Sequence, residues 1–191
     1  MSMNAKYVAA VTLLLCLQIA AQNAFALEGD RDLFPEEIVV GDVTLQRKGV
    51  GRMRRWMITG ADVALYAPEG TSRGALLSGG PVALSFYYYV RIRGDQFSRA
   101  ANETLADNID AAAKNAQADN IEKMGNWFQT VERGDRYLLQ YEPGRGTTLK
   151  LNGKPQGTIE GSAFASVYFQ IWLGKHPIDT RLYDAMAAGL Q

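Results

Sequence analysis

Positive side chains cluster just ahead of an apolar run early in the chain, at Arg47, Lys48, Arg52, Arg54 and Arg55. Such side chains could bind nucleic acid, hold a phosphate, cover a solvated edge or reach inward to hold an anion. The whole chain, however, has 20 Lys plus Arg and 20 Asp plus Glu. A nucleic-acid binder needs a basic surface, so we expect no nucleic-acid partner.

Other familiar chemistries lack their motifs. Residues 49–52, Gly-Val-Gly-Arg, resemble part of a phosphate-binding loop, but the third glycine and the following helix are missing. His176 is the only histidine, whereas a zinc site needs several nitrogen or sulfur ligands. Ser162 and Ser166 precede it without the strained turn of a hydrolase nucleophile. We therefore predict no metal, no cofactor and no hydrolytic triad.

The first residues have the pattern of a secretory signal peptide. Lys6 precedes an apolar run over residues 8–21, and Ala24-Phe25-Ala26 offers small residues for cleavage before Leu27. The apolar run is shorter than the roughly 20 residues of a membrane-spanning helix. We predict that residues 1–26 are removed, that the protein is exported to the periplasm or secreted, and that no stable membrane span remains.

Residues 27–191 are predicted to form one α+β domain. Alternating β-branched and aromatic residues bounded by Gly and Pro predict strands, and apolar residues at helical spacing predict helices. The predicted strands are 38–46, 53–66, 82–92, 136–142 and 147–151, with a return strand starting at 157. The predicted helical segments are 96–117, 120–131, 162–173 and 180–188.

One arginine of the cluster is a candidate for the interior. On an extended strand over residues 53–66, side chains alternate, so Arg55 shares a face with Thr59 and the apolar positions after it, while Arg54 points the other way. A buried arginine is costly unless an anion pairs with it, and its planar fork suits a carboxylate.

Two alternatives to a ligand remain open for Arg55. It could pair with an internal acid such as Asp62 or Glu142, or its head could reach water. Arg47, Lys48 and Arg52 are predicted to lie on a solvated turn. In this interpretation most of the cluster faces solvent and one arginine faces inward.

The chain resembles the chalcone isomerase-like family, in its secreted bacterial branch. The resemblance covers nearly all of residues 27–191 in order, through GVGRMRRWMITGADVALYAPEG, FYYYVRIRGDQFSRAANETLADN, DRYLLQYEPGRGTTLKLNGKPQGTIEG and FASVYFQIWLG. It implies an open-faced β-sandwich, in which a curved antiparallel sheet carries a layer of helices on one face. The ligand cleft of that fold lies between the sheet and the helices.

The resemblance implies two activities, isomerisation and fatty-acid binding. The catalytic tyrosine and asparagine of plant chalcone isomerases fall on Phe97 and Thr104, the late-helix hydroxyl on Ile171, and the strand threonine on Ala61, with Thr59 nearby. Only the arginine is retained, as Arg55, Arg54 or Arg52. Phe97 and Ile171 offer no hydrogen-bond donor to a developing oxyanion, which argues against the plant reaction.

We therefore predict a non-catalytic periplasmic protein that binds a fatty acid or similar amphipathic carboxylate. Arg55, or else Arg54, holds the headgroup, and the other ligand contacts are Phe97, Thr104, Trp127, Tyr168, Ile171 and Trp172. The rival is an isomerase of the intramolecular lyase class that acts on a conjugated ketone through Arg55, Thr59, Thr104 and Tyr168. A third hypothesis is an exported structural or interaction protein whose cleft is filled by its own side chains. The sequence leaves open whether the protein is an enzyme.

Overall fold

The structure is a computed structural model that describes residues 29–55 and 58–191. The predicted signal peptide and its cleavage site at Ala26 and Leu27 lie outside the described residues, as does the side chain of Arg55. Within the described ranges, no helix is long and apolar enough to cross a membrane. The same ranges contain no group of three or more His, Cys, Asp or Glu side chains placed to hold a metal ion.

Seven antiparallel strands form a curved sheet in which each strand pairs with its neighbours in the sequence. The sheet curls far enough for the first strand to contact the fifth. A hairpin joins the last two strands, where Asn152 and Gly153 both have positive φ, as Asn-Gly in the sequence indicates. The strands are β1 (Glu37–Val40), β2 (Val43–Arg55), β3 (Ile58–Ala67), β4 (Val82–Tyr88), β5 (Arg136–Glu142), β6 (Gly146–Leu151) and β7 (Lys154–Ile159).

Helices follow β3, β4 and β7 and cover one face of the sheet. They are α1 (Arg73–Leu77), α2 (Gly94–Asn108), α3 (Ala111–Ala116), α4 (Ala118–Trp127), α5 (Ser162–Tyr168), α6 (Gln170–Leu173) and α7 (Thr180–Met186). The single helix predicted over residues 96–117 is divided because Ile109 is extended and Asp110 caps a new helix, accepting a hydrogen bond from the backbone N–H of Ala113. The fold is the predicted α+β open-faced β-sandwich.

The strand predicted over residues 53–66 is in fact two strands. β2 ends at Arg55 and β3 begins at Ile58, and these two residues lie opposite each other in register. The alternation misled the prediction because Met53 and Ala61 are paired in register and belong to the same core, so the apolar pattern continues across the hairpin. The inference that Arg55 and Thr59 share one face of a single strand therefore no longer applies.

The helix-covered face, called here the inner face, carries the main core. Side chains alternate along a strand, so Val63 and Leu65 of β3 and Leu84 and Phe86 of β4 point to this face. They pack against Leu105 of α2 and other buried helical side chains, and all of these are less than a tenth exposed. Each fully buried apolar side chain of this size contributes about 1.5–3 kcal/mol.

The opposite, outer face carries a smaller core under the N-terminal strap, which we define as residues 29–36. Phe34 of the strap is buried against Val50, Ala64 and Tyr66 of the sheet. The Tyr66 hydroxyl donates a hydrogen bond of 2.8 Å to the carbonyl oxygen of Pro35. The strap thus seals the outer face, while the helices cover the inner one.

Candidate functional site

A cavity of about 270 Å³ lies between the inner face and the helices. Its volume exceeds that of an engineered apolar cavity of about 150 Å³ that binds benzene, and approaches the lower end of ligand pockets, about 300 Å³. Its lining is almost entirely apolar and aromatic. The lining residues are Met53, Phe86, Tyr88, Ile92, Gln96, Phe97, Ala100, Ala101, Phe128, Tyr137, Leu139, Leu149, Tyr168, Ile171, Trp172 and Ile178.

Packed aromatic rings form the walls of the cavity. Phe86 of β4 lies 5.5 Å, between ring centroids, from Trp172 of α6, and Tyr88 lies 5.6 Å from Phe97 of α2. Tyr168 of α5 continues the wall, 6.0 Å from Trp172. Ring pairs at such separations are favourable beyond their burial, so the walls are held by their own contacts.

Small residues of α2 leave the space open. Protein interiors are normally close-packed, with few voids larger than a water molecule. Here α2 presents Ala100 and Ala101 to the cavity, where longer side chains would fill it. Among the lining residues, Gln96 is exposed and marks the mouth of the cavity, whereas Leu139, Leu149 and Tyr168 are buried.

Four side chains with a hydroxyl or amide group line the cavity, and two of them are bonded to the backbone. The Tyr137 hydroxyl accepts a hydrogen bond of 2.8 Å from the N–H of Gln129 and donates to its carbonyl oxygen at 3.3 Å. The Gln96 side-chain oxygen accepts a 3.0 Å hydrogen bond from the N–H of Arg93. The other two are the hydroxyls of Tyr88 and Tyr168, which make no hydrogen bond to any described residue.

Burial sets the protonation of these two tyrosines. Tyr88 is 4% exposed and Tyr168 is 1% exposed. Loss of solvation raises the pKa of Tyr88 well above its ordinary value, with a further contribution from the nearby Tyr137 and Tyr168. Burial likewise raises the pKa of Tyr168. Both side chains are therefore neutral hydrogen-bonding groups at any physiological pH.

The structure brings four of the predicted ligand contacts together at this cavity, namely Phe97, Tyr168, Ile171 and Trp172. Thr104 does not line this cavity. It lies one helical turn beyond Ala100 on α2, beside a surface hollow that His176 also lines. Its hydroxyl donates a 2.9 Å hydrogen bond to the Ala100 carbonyl oxygen.

Trp127 also lies away from the cavity. At the end of α4 its ring covers Gly157 of β7, where an added Cβ would come within 2.2 Å of the ring. The ammonium group of Lys123 lies 5.7 Å from the ring centroid. Trp127 therefore packs on the edge strand β7 and is not among the residues that line the cavity.

The positive cluster belongs to β2 and not to a solvated turn, which corrects the prediction for Arg47, Lys48 and Arg52. The Arg47 side chain is only 7% exposed and donates hydrogen bonds to the carbonyl oxygens of Arg31, at 2.8 Å, and Phe34. Arg47 thus fastens the strap. The prediction failed because β2 extends through the glycines at 49 and 51, which indicate a turn in the sequence.

Arg52 forms a two-pronged ion pair with the fully buried Asp62 of β3. Its Nε and Nη2 donate to the two carboxylate oxygens at 2.8 and 2.9 Å. Asp62 also accepts hydrogen bonds from the Tyr89 hydroxyl at 2.8 Å and from the N–H of Asp30 at 2.7 Å. The hydrogen bond to Asp62 is the main cause of the raised pKa of Arg52. The carboxylate of Asp62 therefore has its hydrogen-bond partners on the outer face of the sheet.

The remaining candidates stand at the end of the hairpin. Arg54 and Thr59 are opposite each other in register, and neither lines the cavity. The backbone of Arg55 lies two residues beyond Met53, which does line it. The two internal acids considered for Arg55 are engaged by other arginines: Asp62 by Arg52, and Glu142 by Arg145 at 3.8 Å.

Sequence reasoning missed Tyr88, Tyr137 and Phe128 as cavity residues. The signal for Tyr88 was present, because Leu84, Phe86 and Tyr88 alternate on the strand predicted over residues 82–92 and so share one face. Tyr137 could be placed in the same way, since it faces Phe86 across the sheet. Phe128 follows the end of α4, where no periodicity specifies a direction.

The fold resembles that of a solved plant protein. An Arabidopsis thaliana fatty-acid binding protein superposes with a TM-score of 0.61 over 81% of this chain and 91% of that one, at 12% sequence identity. At this identity the likeness shows the fold alone. Curated proteins gave no match. A family model described as chalcone isomerase-like matches residues 30–187, so the chain belongs to the chalcone isomerase-like family.

Proposed function

We propose that this protein binds a fatty acid or a similar amphipathic carboxylate in the cavity between sheet and helices, without changing it chemically. The observation that carries the proposal is the cavity itself: about 270 Å³ of apolar, aromatic-lined space in the core of the domain. The chain's own side chains do not fill the cleft, contrary to the hypothesis of a structural protein with a filled cleft. The similar fold of a fatty-acid binding protein adds support.

Arg55 is our candidate for the headgroup. It ends β2, two residues beyond the cavity-lining Met53, and the acid Asp62 is already paired with Arg52 through two hydrogen bonds. A carboxylate would remain near the mouth, because an ionised group is costly to move into the apolar depth. The acyl chain would then extend inward past Phe97 toward Tyr168 and Ile171.

The size of the cavity favours chains of medium length. A ligand much longer than the cavity would leave apolar surface in water and gain nothing from its last carbons. Octanoate, decanoate, laurate and palmitate can be compared by isothermal titration calorimetry. We expect the affinity to rise with chain length along the series and then level off. If none of the four acids gives a measurable heat of binding, the proposal is refuted.

Filling the cavity tests its location. In Ala101→Phe, a ring grows into the space from α2, and we expect fatty-acid binding to weaken more than tenfold while the fold persists. Ala106→Phe is the matched control, because Ala106 is an exposed residue of the same helix. If both variants bind like the wild type, the ligand lies elsewhere.

The headgroup assignment has its own test. Arg55→Gln should weaken carboxylates about tenfold or more and leave the corresponding alcohols, such as decanol, little changed, since a charged hydrogen bond is about twice as strong as a neutral one. Arg133→Gln, at an exposed site, is the control. Equal loss for acid and alcohol would show that Arg55 does not hold the carboxylate.

The isomerase hypothesis has less support. Of its predicted hydrogen-bonding residues Thr59, Thr104 and Tyr168, only Tyr168 lines the cavity, so these groups do not converge on one substrate oxygen. Incubation with a chalcone, followed by its ultraviolet absorbance, provides the direct test. Turnover that is lost when Arg55 or Tyr168 is replaced would support the isomerase hypothesis instead.

We also propose export to the periplasm, on the basis of the signal-peptide pattern in residues 1–26. The mass of the protein recovered from periplasmic and cytoplasmic fractions tests it. A mature form beginning at Leu27 in the periplasm is expected, and a full-length cytoplasmic form would refute it.

A further inference from the structure

The two unbonded tyrosine hydroxyls of the cavity distinguish it from an ordinary apolar hollow. Tyr88 reaches the cavity from β4 and Tyr168 from α5, on opposite layers of the domain. Both side chains are nine-tenths buried or more. Neither hydroxyl hydrogen-bonds to any residue in the described ranges.

Buried hydroxyls in proteins normally have a partner, because one left without a hydrogen bond loses its solvation and gains nothing. Three other tyrosines of this chain have such a partner, whereas the hydroxyl of Tyr141, which is 3% exposed and does not line the cavity, also has none among the described residues. Tyr66 donates to the Pro35 carbonyl, Tyr89 to Asp62 and Tyr137 to the Gln129 carbonyl. Phenylalanine would line an apolar cavity equally well at positions 88 and 168, so the two hydroxyls call for a partner in the cavity.

We propose that the hydroxyls of Tyr88 and Tyr168 bind an oxygen atom carried along the ligand's chain, so that the ligand is an oxygenated acyl compound. This inference rests on the proposed function and specifies its ligand class. A keto oxygen offers two lone pairs and can accept from both tyrosines. A hydroxyl group can accept from one tyrosine and donate to the other, since a phenol also accepts.

The chemistry of the site excludes the carboxylate as this deep group. Both tyrosines stay neutral, because burial raises their pKa values. The apolar lining around them offers no positive charge among the described side chains, and an ionised carboxylate there would be strongly disfavoured. A neutral oxygen loses far less solvation on entering and regains it through two hydrogen bonds.

The experiment compares decanoate with a series of ketodecanoates in which the carbonyl occupies successive positions along the chain. Calorimetry gives the dissociation constant of each for the wild type, Tyr88→Phe and Tyr168→Phe. We expect at least one ketodecanoate to bind the wild type on the order of tenfold more tightly than decanoate. In each variant the ratio of the decanoate to the ketodecanoate dissociation constant should lose most of its excess over one.

The control is Tyr87→Phe, which removes a hydroxyl from the opposite face of β4 and should leave the preference intact. If decanoate binds and no ketodecanoate exceeds it, the inference is wrong while the proposed function stands. A preference that survives both phenylalanine variants also overturns it. If neither class of acid binds, both proposals fail together.

Discussion

Two sets of buried polar side chains, one on each face of the sheet, differ in where their hydrogen-bond partners lie. On the outer face the carboxylate of Asp62 receives four hydrogen bonds, all from this chain, through Arg52, Tyr89 and the N–H of Asp30. On the inner face the hydroxyls of Tyr88 and Tyr168 receive none from the described residues and adjoin an apolar cavity. A buried polar group whose partners are internal stabilises the fold, whereas one beside open space indicates a ligand.

The contrast also accounts for the positive cluster of β2. Arg47 and Arg52 hold the N-terminal strap and Asp62 on the outer face, so two conspicuous cations have structural roles. Charge density in the sequence therefore gave no measure of function. The inner face depends on aromatic and small residues, which attract less notice.

The largest expected effect is on the outer face. Asp62→Ala would leave the Arg52 guanidinium, the Tyr89 hydroxyl and the N–H of Asp30 without their acceptor, at a cost of about 3 kcal/mol in the free energy of unfolding. Urea denaturation measures this loss. Asp95→Ala, which removes exposed ion pairs with Arg93 and Arg99, should change stability by less than about 1 kcal/mol. If the two substitutions lower the free energy of unfolding equally, the buried position of Asp62 has no special effect on stability.

A second effect concerns how the inner face is covered. At Gly51 an added Cβ would come within 2.5 Å of the Leu182 carbonyl oxygen of α7, so Gly51→Ala must displace backbone and should cost about 2 kcal/mol. Gly74→Ala is the matched control, because its nearest neighbour lies 4.0 Å away. Denaturant midpoints for the two variants provide the comparison, and a neutral Gly51→Ala would show that α7 does not press on the sheet.

Alkaline pH should weaken the outer face. Burial raises the pKa of Tyr66 to about 12, from an ordinary value of 10.0. Below about pH 10 this tyrosine is neutral in both states and its contribution is complete. Above that, only the unfolded state ionises, so stability falls toward pH 12. We expect the wild type to lose about 1.4 kcal/mol more than Tyr66→Phe between pH 9 and about pH 11. Parallel pH profiles for the two proteins would contradict this.

Matched removals of a hydroxyl compare the two faces most directly. Tyr66→Phe removes the hydrogen bond between the buried Tyr66 and the Pro35 carbonyl oxygen and should cost about 1 kcal/mol at neutral pH, the usual net contribution of such a bond. Chemical denaturation at neutral pH provides the measurement. A loss no larger than the experimental error would mean that the strap is held without this bond.

The smallest effects are expected on the inner face. Tyr88→Phe and Tyr168→Phe remove hydroxyls that bond to no described residue, so stability should stay within about 0.5 kcal/mol or rise slightly. The same denaturation experiment, on ligand-free protein, measures the change. A loss as large as that of Tyr66→Phe would mean that these hydroxyls already have partners.

Much of the fold was predictable because the sheet is built from local patterns. The strand over residues 136–142 was predicted with the observed bounds, and the hairpin predicted from Asn152-Gly153 is present, with positive φ at both residues. The hairpin between Arg55 and Ile58 was missed because the alternation of apolar residues continues from one strand into the next. Only the pairing register shows that there are two strands, and a sequence does not display that register. The break at Ile109 was missed because Asp110 fits a helical face as well as a cap.

The candidate site was less predictable than the fold. Phe97 and Thr104 are seven residues apart and share one side of α2, yet only Phe97 reaches the cavity, since the opening spans fewer turns than the helix. Periodicity gives the side of a helix but not the extent of an empty space. The two unbonded hydroxyls could not be recognised at all, because the absence of partners is a property of three-dimensional packing.

The contact between α7 and β2 has a consequence for how this protein is made. Gly49 and Gly51 let the backbone of α7 rest on the strand, and the N–H of Gly189 bonds to the Lys48 carbonyl oxygen at 3.0 Å. These partners lie at opposite ends of the domain's sequence. A ribosome-bound chain can pair its neighbouring strands early, but the inner face of β2 stays uncovered until residues 182–189 have been synthesised, and such non-local contacts form slowly. We expect the nascent domain to remain incompletely packed along β2 until α7 has emerged from the ribosome.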